Sequence, residues 1–179
     1  MTDWIKTAHW NNPKQRKFGG FTKAENILIK NKINWLKNGI DLPIIANLFC
    51  GSSTIGDYRV DINHESEFNV LKDSLEFLKE MEDNLFDMII CDPPYNEKNT
   101  KKYNLGKIPN YTGNTANLVS LRKEMIRTIK IGGFLIFKHW FDLAPGKRFV
   151  LEDQIVTKYG GLRRITIMTV YRKIQEELL

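Results

Sequence analysis

The run Phe86-Asp87-Met88-Ile89-Ile90-Cys91, followed at once by Asp92-Pro93-Pro94-Tyr95, constrains this chain more than any other stretch. Six nearly continuous apolar positions read as a strand buried on both faces. Two prolines then end it, because neither has an amide hydrogen to donate to a ladder. The resulting rigid turn presents the Asp92 carboxylate, the Pro93 carbonyl and the Tyr95 ring, with Pro94 fixing the turn. In an open α/β sheet, ligands bind at the carboxyl ends of the strands.

The other segments extend this pattern. A second apolar run over 44–49 leads into the small-residue loop Cys50-Gly51-Ser52-Ser53-Thr54-Ile55-Gly56. A strand over 58–62 carries Asp61 near its end, and a third covers 68–71. Ser74 reads as the cap of a helix over 75–82, with Leu75, Leu78 and Met81 inward. Upstream, Thr22 and Glu25 form a capping-box pattern for a helix starting near Lys23. Ile27, Leu28, Ile33, Trp35 and Leu36 fall on one face of that helix. A later helix over 115–130 is ended by Gly132-Gly133. Strands follow at 134–138, near 150–157 and at 164–171, the last two as an antiparallel hairpin around Gly160-Gly161.

Strands alternating with helices imply an α/β fold: a three-layer Rossmann-like sheet, mostly parallel, with a C-terminal antiparallel hairpin. The expected organisation is a single domain over 1–179. Residues 1–22 form an irregular N-terminal arm, and 96–113 form a long loop of the kind that usually carries function. No stretch is long enough for a separate target-recognition domain.

Charge points to an acidic partner. The net charge is +6, with lysines and arginines crowded into the first quarter and into the loop after Tyr95. No apolar run approaches the roughly 18 residues needed to span a bilayer, and the first residues lack a signal-peptide apolar core. Cys50 and Cys91, the only cysteines, end apolar runs and read as reduced, buried thiols rather than a disulfide. No histidine or cysteine cluster has metal-ligand spacing. A cytoplasmic protein is expected.

Asp92-Pro93-Pro94-Tyr95 resembles the catalytic D-P-P-Y motif of S-adenosylmethionine-dependent amino-methyltransferases, the DNA N6-adenine and N4-cytosine enzymes. The segment from Phe49 to Gly56 resembles the F-x-G-x-G-x-x-G loop that holds the cofactor in that family. The resemblance implies cofactor contacts from Phe49, Gly51 and Ser53, ribose hydroxyls on Asp61, and the adenine amino group at Asp73 and Ser74. It also implies that Asp92 and the Pro93 carbonyl accept the hydrogens of a nucleobase amine while Tyr95 stacks on the base. Tyr95 packing on the sheet end is the simpler alternative. Lys98, Lys101 and Lys102 read as phosphate contacts or as a solvated charge run, and Tyr103 and Tyr111 as base-stacking or loop-anchoring rings. His139 reads as a structural or base-packing residue on the substrate side, or as a general base.

Two departures stand out: Ser53 replaces the second glycine, and only ten positions separate Gly51 from Asp61, too few for a full helix. The segment from Arg16 to Lys23 resembles a cofactor-contacting N-terminal segment of some members, or is a flexible basic arm. The expected activity is methyl transfer to a nucleobase amino group, adenine N6 in DNA first, with RNA and a weakly active binding subunit as alternatives. Sequence specificity would then come from the 96–113 loop, the N-terminal arm, or a protein partner or second copy.

Overall fold

The computed structural model describes residues 5–10, 21–63, 66–95, 111, 115–159 and 164–174. Their strands join one eight-stranded sheet in the order β1-β7-β8-β6-β5-β2-β3-β4. In chain order the elements are β1 (Ile5–Trp10), α1 (Lys23–Lys37), β2 (Ile45–Leu48), β3 (Tyr58–Asp61), β4 (Val70–Leu71) and α2 (Ser74–Lys79). Then come β5 (Phe86–Cys91), α3 (Ala116–Thr128), β6 (Ile129–His139), β7 (Phe149–Tyr159) and β8 (Arg164–Lys173). Every neighbouring pair is parallel except β6–β8 and β8–β7, so β8 alone runs against the others. The expected α/β sheet with its antiparallel closing hairpin is therefore the observed fold.

Alternation along the central strands divides the core into two layers. Ile45, Met88, Ile90, Phe134 and Ile136 face α1, where they meet Phe21, Leu28, Ile29 and Leu36. Ala46, Leu48, Ile89, Cys91, Leu135 and Phe137 face the other way, toward Leu75 and Leu78 of α2 and Leu118, Leu121 and Met125 of α3. All six residues of β5 are buried, as a strand covered on both faces requires.

Helix ends are tied down by side chains. Thr22 and Glu25 form the reciprocal capping box at the start of α1. Arg127 of α3 donates to Leu78 O and Met81 O at the end of α2, 2.8 Å in each case. Lys173 of β8, itself buried, donates to Ile129 O at 2.7 Å and Ile126 O at 2.9 Å, meeting the carbonyls that the end of α3 leaves open.

Several expectations need correction. Residues 5–10 of the supposed irregular arm form β1, paired in parallel with β7. Ile27 and Trp35 of α1 are exposed, while Ile29 and the charged Glu25 are buried, so the buried stripe is rotated toward Glu25. Asp73 rather than Ser74 caps α2, accepting from the amides of Leu75 and Glu76, and that helix stops at Lys79 instead of reaching 82. Gly132-Gly133 does not end α3. The helix stops at Thr128, and the glycines lie inside β6, where its register against β5 slips between the Phe86–Ile129 and Met88–Phe134 pairs. Gly132 takes φ 83° there, a left-handed value that glycine tolerates.

Candidate active site

Because β6, β5, β2, β3 and β4 are parallel neighbours, their carboxyl ends share one edge of the sheet. Along that edge stand His139, Asp92, the Gly51 loop, Asp61 and Asp73. The strand order reverses between β5 and β2, so Asp92 and the Gly51 loop flank the switch point where α/β sheets open a crevice.

The loop after β2 contains no helix, in keeping with the ten-position spacing, and is held by side chains instead. Asp61 Oδ2 accepts from Gly51 N and Asp61 Oδ1 from Asn63 N, both at 2.8 Å. Asn47, buried in β2, donates from Nδ2 to Ser53 Oγ and to Ile55 O, each at 3.0 Å. Ser53 Oγ also accepts from Ile55 N at 3.3 Å. The serine at the second glycine position thus points inward and organises the loop. Gly56, at φ 104°, passes so close to Asn47 that an added Cβ would lie 3.3 Å from its Cβ. Phe49 takes φ 57°, a conformation rarely seen for a bulky residue and one that clusters at ligand-binding turns.

Asp73 and Phe49 are joined by a residue whose role the sequence left open between stacking on a base and anchoring the loop. Tyr111 is fully buried and donates its hydroxyl to the Asp73 carboxylate, 2.6 Å from Oδ1 and 2.7 Å from Oδ2. Its ring meets Phe49 edge to face at 5.0 Å. Burial, then the bond to Asp73, raise the phenol far above its ordinary range, so it stays a donor. Asp73 accordingly serves as helix cap and tyrosine acceptor at once. Its separation from Asp73, 38 residues in sequence, concealed this partner. Ser74 is buried beside it, with its hydroxyl unpartnered among the described residues.

Asp92 directly follows β5, with its side chain only 9% exposed. Tyr95 donates to Asp92 Oδ1 at 2.5 Å. Lys138, at the end of β6, lies with Nζ 3.7 Å from Asp92 Oδ2 and 3.0 Å from Glu25 Oε2. Burial pushes the Asp92 carboxyl above its usual range, against the pull of Lys138 and the Tyr95 hydrogen bond. Cys91, the buried thiol just before it, is pushed well up by burial, and Cys50 is pushed up to about 12 by burial and then by Asp61. Both are unreactive, free thiols.

His139 is fully buried, with both ring nitrogens unpartnered among the described residues. It lies edge to face with Tyr95 at 5.0 Å and 4.1 Å from the Phe141 ring. Burial lowers it to about 3, so it is a neutral imidazole at ordinary pH. Beside it, Trp140 is exposed.

The structure thus brings together Phe49, Gly51, Ser53, Asp61, Asp73, Ser74, Asp92, Pro93, Pro94, Tyr95 and His139 on one edge. Lys98, Lys101, Lys102 and Tyr103 lie outside the described residues. Glu25, legible only as a capping-box residue, and Lys138, legible only as the end of the 134–138 strand, form a pair beside Asp92 that sequence reasoning missed.

No protein-family profile and no curated protein matches the chain. Among solved structures the fold is similar to "putative methylase HI0767" from Haemophilus influenzae, with TM-score 0.54 at 15% identity over 84% of this chain and 98% of that one. It is also similar to "putative methyltransferase yhhF" from Escherichia coli, with TM-score 0.52 at 13% identity over 87% of this chain and 90% of that one. At such identities the likeness establishes a shared Rossmann-like architecture.

Proposed function

We propose that the chain is an S-adenosylmethionine-dependent methyltransferase acting on an exocyclic amino group of a nucleobase, with adenine N6 in DNA as the first expectation. The observation that carries this reading is the buried Asp92 carboxylate at the carboxyl end of the central strand, beside the Gly51 loop and in line with Asp61 and Asp73. The two methyltransferase-named proteins of the same architecture support it. The residues fit the cofactor's chemistry: three carboxylates stand along the edge, suited to ribose hydroxyls, an adenine amino group and a positive centre. Asp61 keeps acceptor capacity beyond the two amides it holds, since an ionised carboxylate offers about four lone-pair sites.

When bound, the cofactor supplies an electrophilic methyl on a sulfonium. The chain's own part is positioning and electrostatics. An aromatic amine is a weak nucleophile because its lone pair is delocalised into the ring. Asp92 and the Pro93 carbonyl accept its hydrogens, which favours a pyramidal nitrogen. Tyr95, held by its bond to Asp92, offers a ring face to the base. His139 is neutral and buried and here packs behind Tyr95 rather than taking the proton, which passes to water. A duplex target would first be flipped out of its stack.

The test is incubation with labelled S-adenosylmethionine and separate DNA and RNA pools, followed by nucleoside analysis. Methyladenosine or methylcytidine species from the wild-type protein, lost in Asp92→Ala with cofactor binding retained, is the expected result. Label in RNA alone would move the substrate class. One observation favours a second reading: Tyr111 already holds both oxygens of Asp73, which leaves less of that carboxylate for an adenine amino group. Cofactor binding without transfer to any pool would identify a binding subunit that needs a partner chain.

A further inference from the structure

Lysine is rarely buried unless paired, yet the Lys138 side chain is 3% exposed and its partner Glu25 is 0% exposed. Glu25 is held from three sides: Oε2 accepts from Thr22 N at 2.7 Å and from Lys138, and Oε1 accepts from Thr157 Oγ1 at 3.0 Å. The Lys138 ammonium also lies 5.2 Å from the Phe21 ring centroid. Fastening α1 to the sheet does not call for buried charge, because well-packed apolar side chains replace a buried ion pair at little or no cost. Among the described residues, the second carboxylate within ion-pair range of that ammonium is Asp92, at 3.7 Å.

Two carboxylates therefore share one buried cation, and one of them stands at the proposed site of methyl transfer. The described groups facing Asp92 are Lys138 from β6, Glu25 from α1, Tyr95 from its own turn and Cys91 behind it. His139, neutral, lies edge to face with the Tyr95 ring. Only a deprotonated Asp92 offers lone pairs alone to an amine; a protonated one would present a competing O–H. We propose that Lys138 is a positioning residue for the transfer turn: its ammonium, divided between Glu25 and Asp92, keeps the Asp92 carboxylate ionised and fixed in place. Glu25 sets how much of that charge Asp92 receives, so the first turn of α1 tunes the acceptor across 113 residues of sequence.

This inference rests on the reading of Asp92 as the amine acceptor. The test compares the full chain with Glu25→Gln and with the double variant Glu25→Gln/Lys138→Met, which leaves neither buried charge alone. Two readouts are taken: the pH dependence of methyl transfer, and the titration of Asp92 followed by carbon-13 NMR of labelled aspartate. Glu25→Gln frees the ammonium for Asp92, so the acid limb moves to lower pH. The double variant removes the stronger influence, so the limb moves up by about one pH unit. Opposite shifts are the expected result. Both variants losing rate with an unmoved limb, or shifting in the same direction, would overturn the proposal and leave Lys138 a fastener of α1. If the double variant does not fold, the direction of the Glu25→Gln shift decides alone. Should wild-type protein methylate nothing, the functional reading fails, while an Asp92 midpoint unmoved in Glu25→Gln would still sink this one independently.

Discussion

At the scale of single residues, burial decides what each group near Asp92 can do. His139 illustrates it. Its neighbours are rings, Tyr95, Phe137 and Phe141, and its nitrogens meet no partner among the described residues. Folding holds the imidazole at about 3, against about 6.5 in the unfolded chain. The unfolded state therefore takes up the proton first as pH falls. The contribution is complete above about pH 6.5 and is lost progressively as pH drops toward 3. His139→Leu, of similar volume, is expected to cost less than about 1 kcal/mol at pH 7, because no hydrogen bond is broken. The variant should also lose stability less steeply than wild type between pH 6.5 and 4. Urea titrations at several pH values check both; an acid limb as steep as the wild type's would mean that His139 is not the group responsible.

At the scale of elements, the strands that carry the site were legible because each is a short apolar run stopped by a residue that cannot continue it. Phe86–Cys91 ends at two prolines, and 44–49 ends at a small-residue loop, so both strand ends were placed from sequence alone. The capping box at Thr22 was legible too, being written within four residues. What escaped depends on partners far along the chain. The strand at Ile5–Trp10 exists through its pairing with β7, about 150 positions away. The glycine pair at 132 and 133 looked like a helix stop because glycine does end helices; its use here is close packing inside a strand. A Cβ on Gly133 would lie 2.9 Å from Asp87 O and 3.0 Å from Lys130 O, both backbone atoms that cannot yield cheaply. Gly133→Ala is accordingly expected to destabilise the fold by about 1–3 kcal/mol, read as a lower urea midpoint. Its distance from the carboxyl edge should leave cofactor affinity unchanged.

At the scale of the whole molecule, no helix among the described residues is long and apolar enough to cross a membrane. The net charge of +6 is the feature that bears on a partner. If the proposed nucleic-acid substrate is correct, binding releases counterions. Affinity for DNA or RNA of any sequence should then fall at least about tenfold between about 50 and 200 mM salt, as fluorescence anisotropy would report. A flat response would argue for a protein or small-molecule substrate. The sheet order carries one more consequence, in time rather than in space. On one side of Asp92 the neighbours β2, β3 and β4 precede it in the chain; on the other, β6, β7 and β8 follow it, and β7 joins β6 only through β8, the last of them to be made. Thr157, which holds Glu25, belongs to that late-arriving β7. During synthesis the β2–β4 side of the crevice can assemble first. The grip on Glu25, and through it the sharing of the Lys138 charge, is completed only when the final hairpin docks. On the proposed reading of Asp92, acceptor chemistry would then be reserved for chains whose last strands are in place.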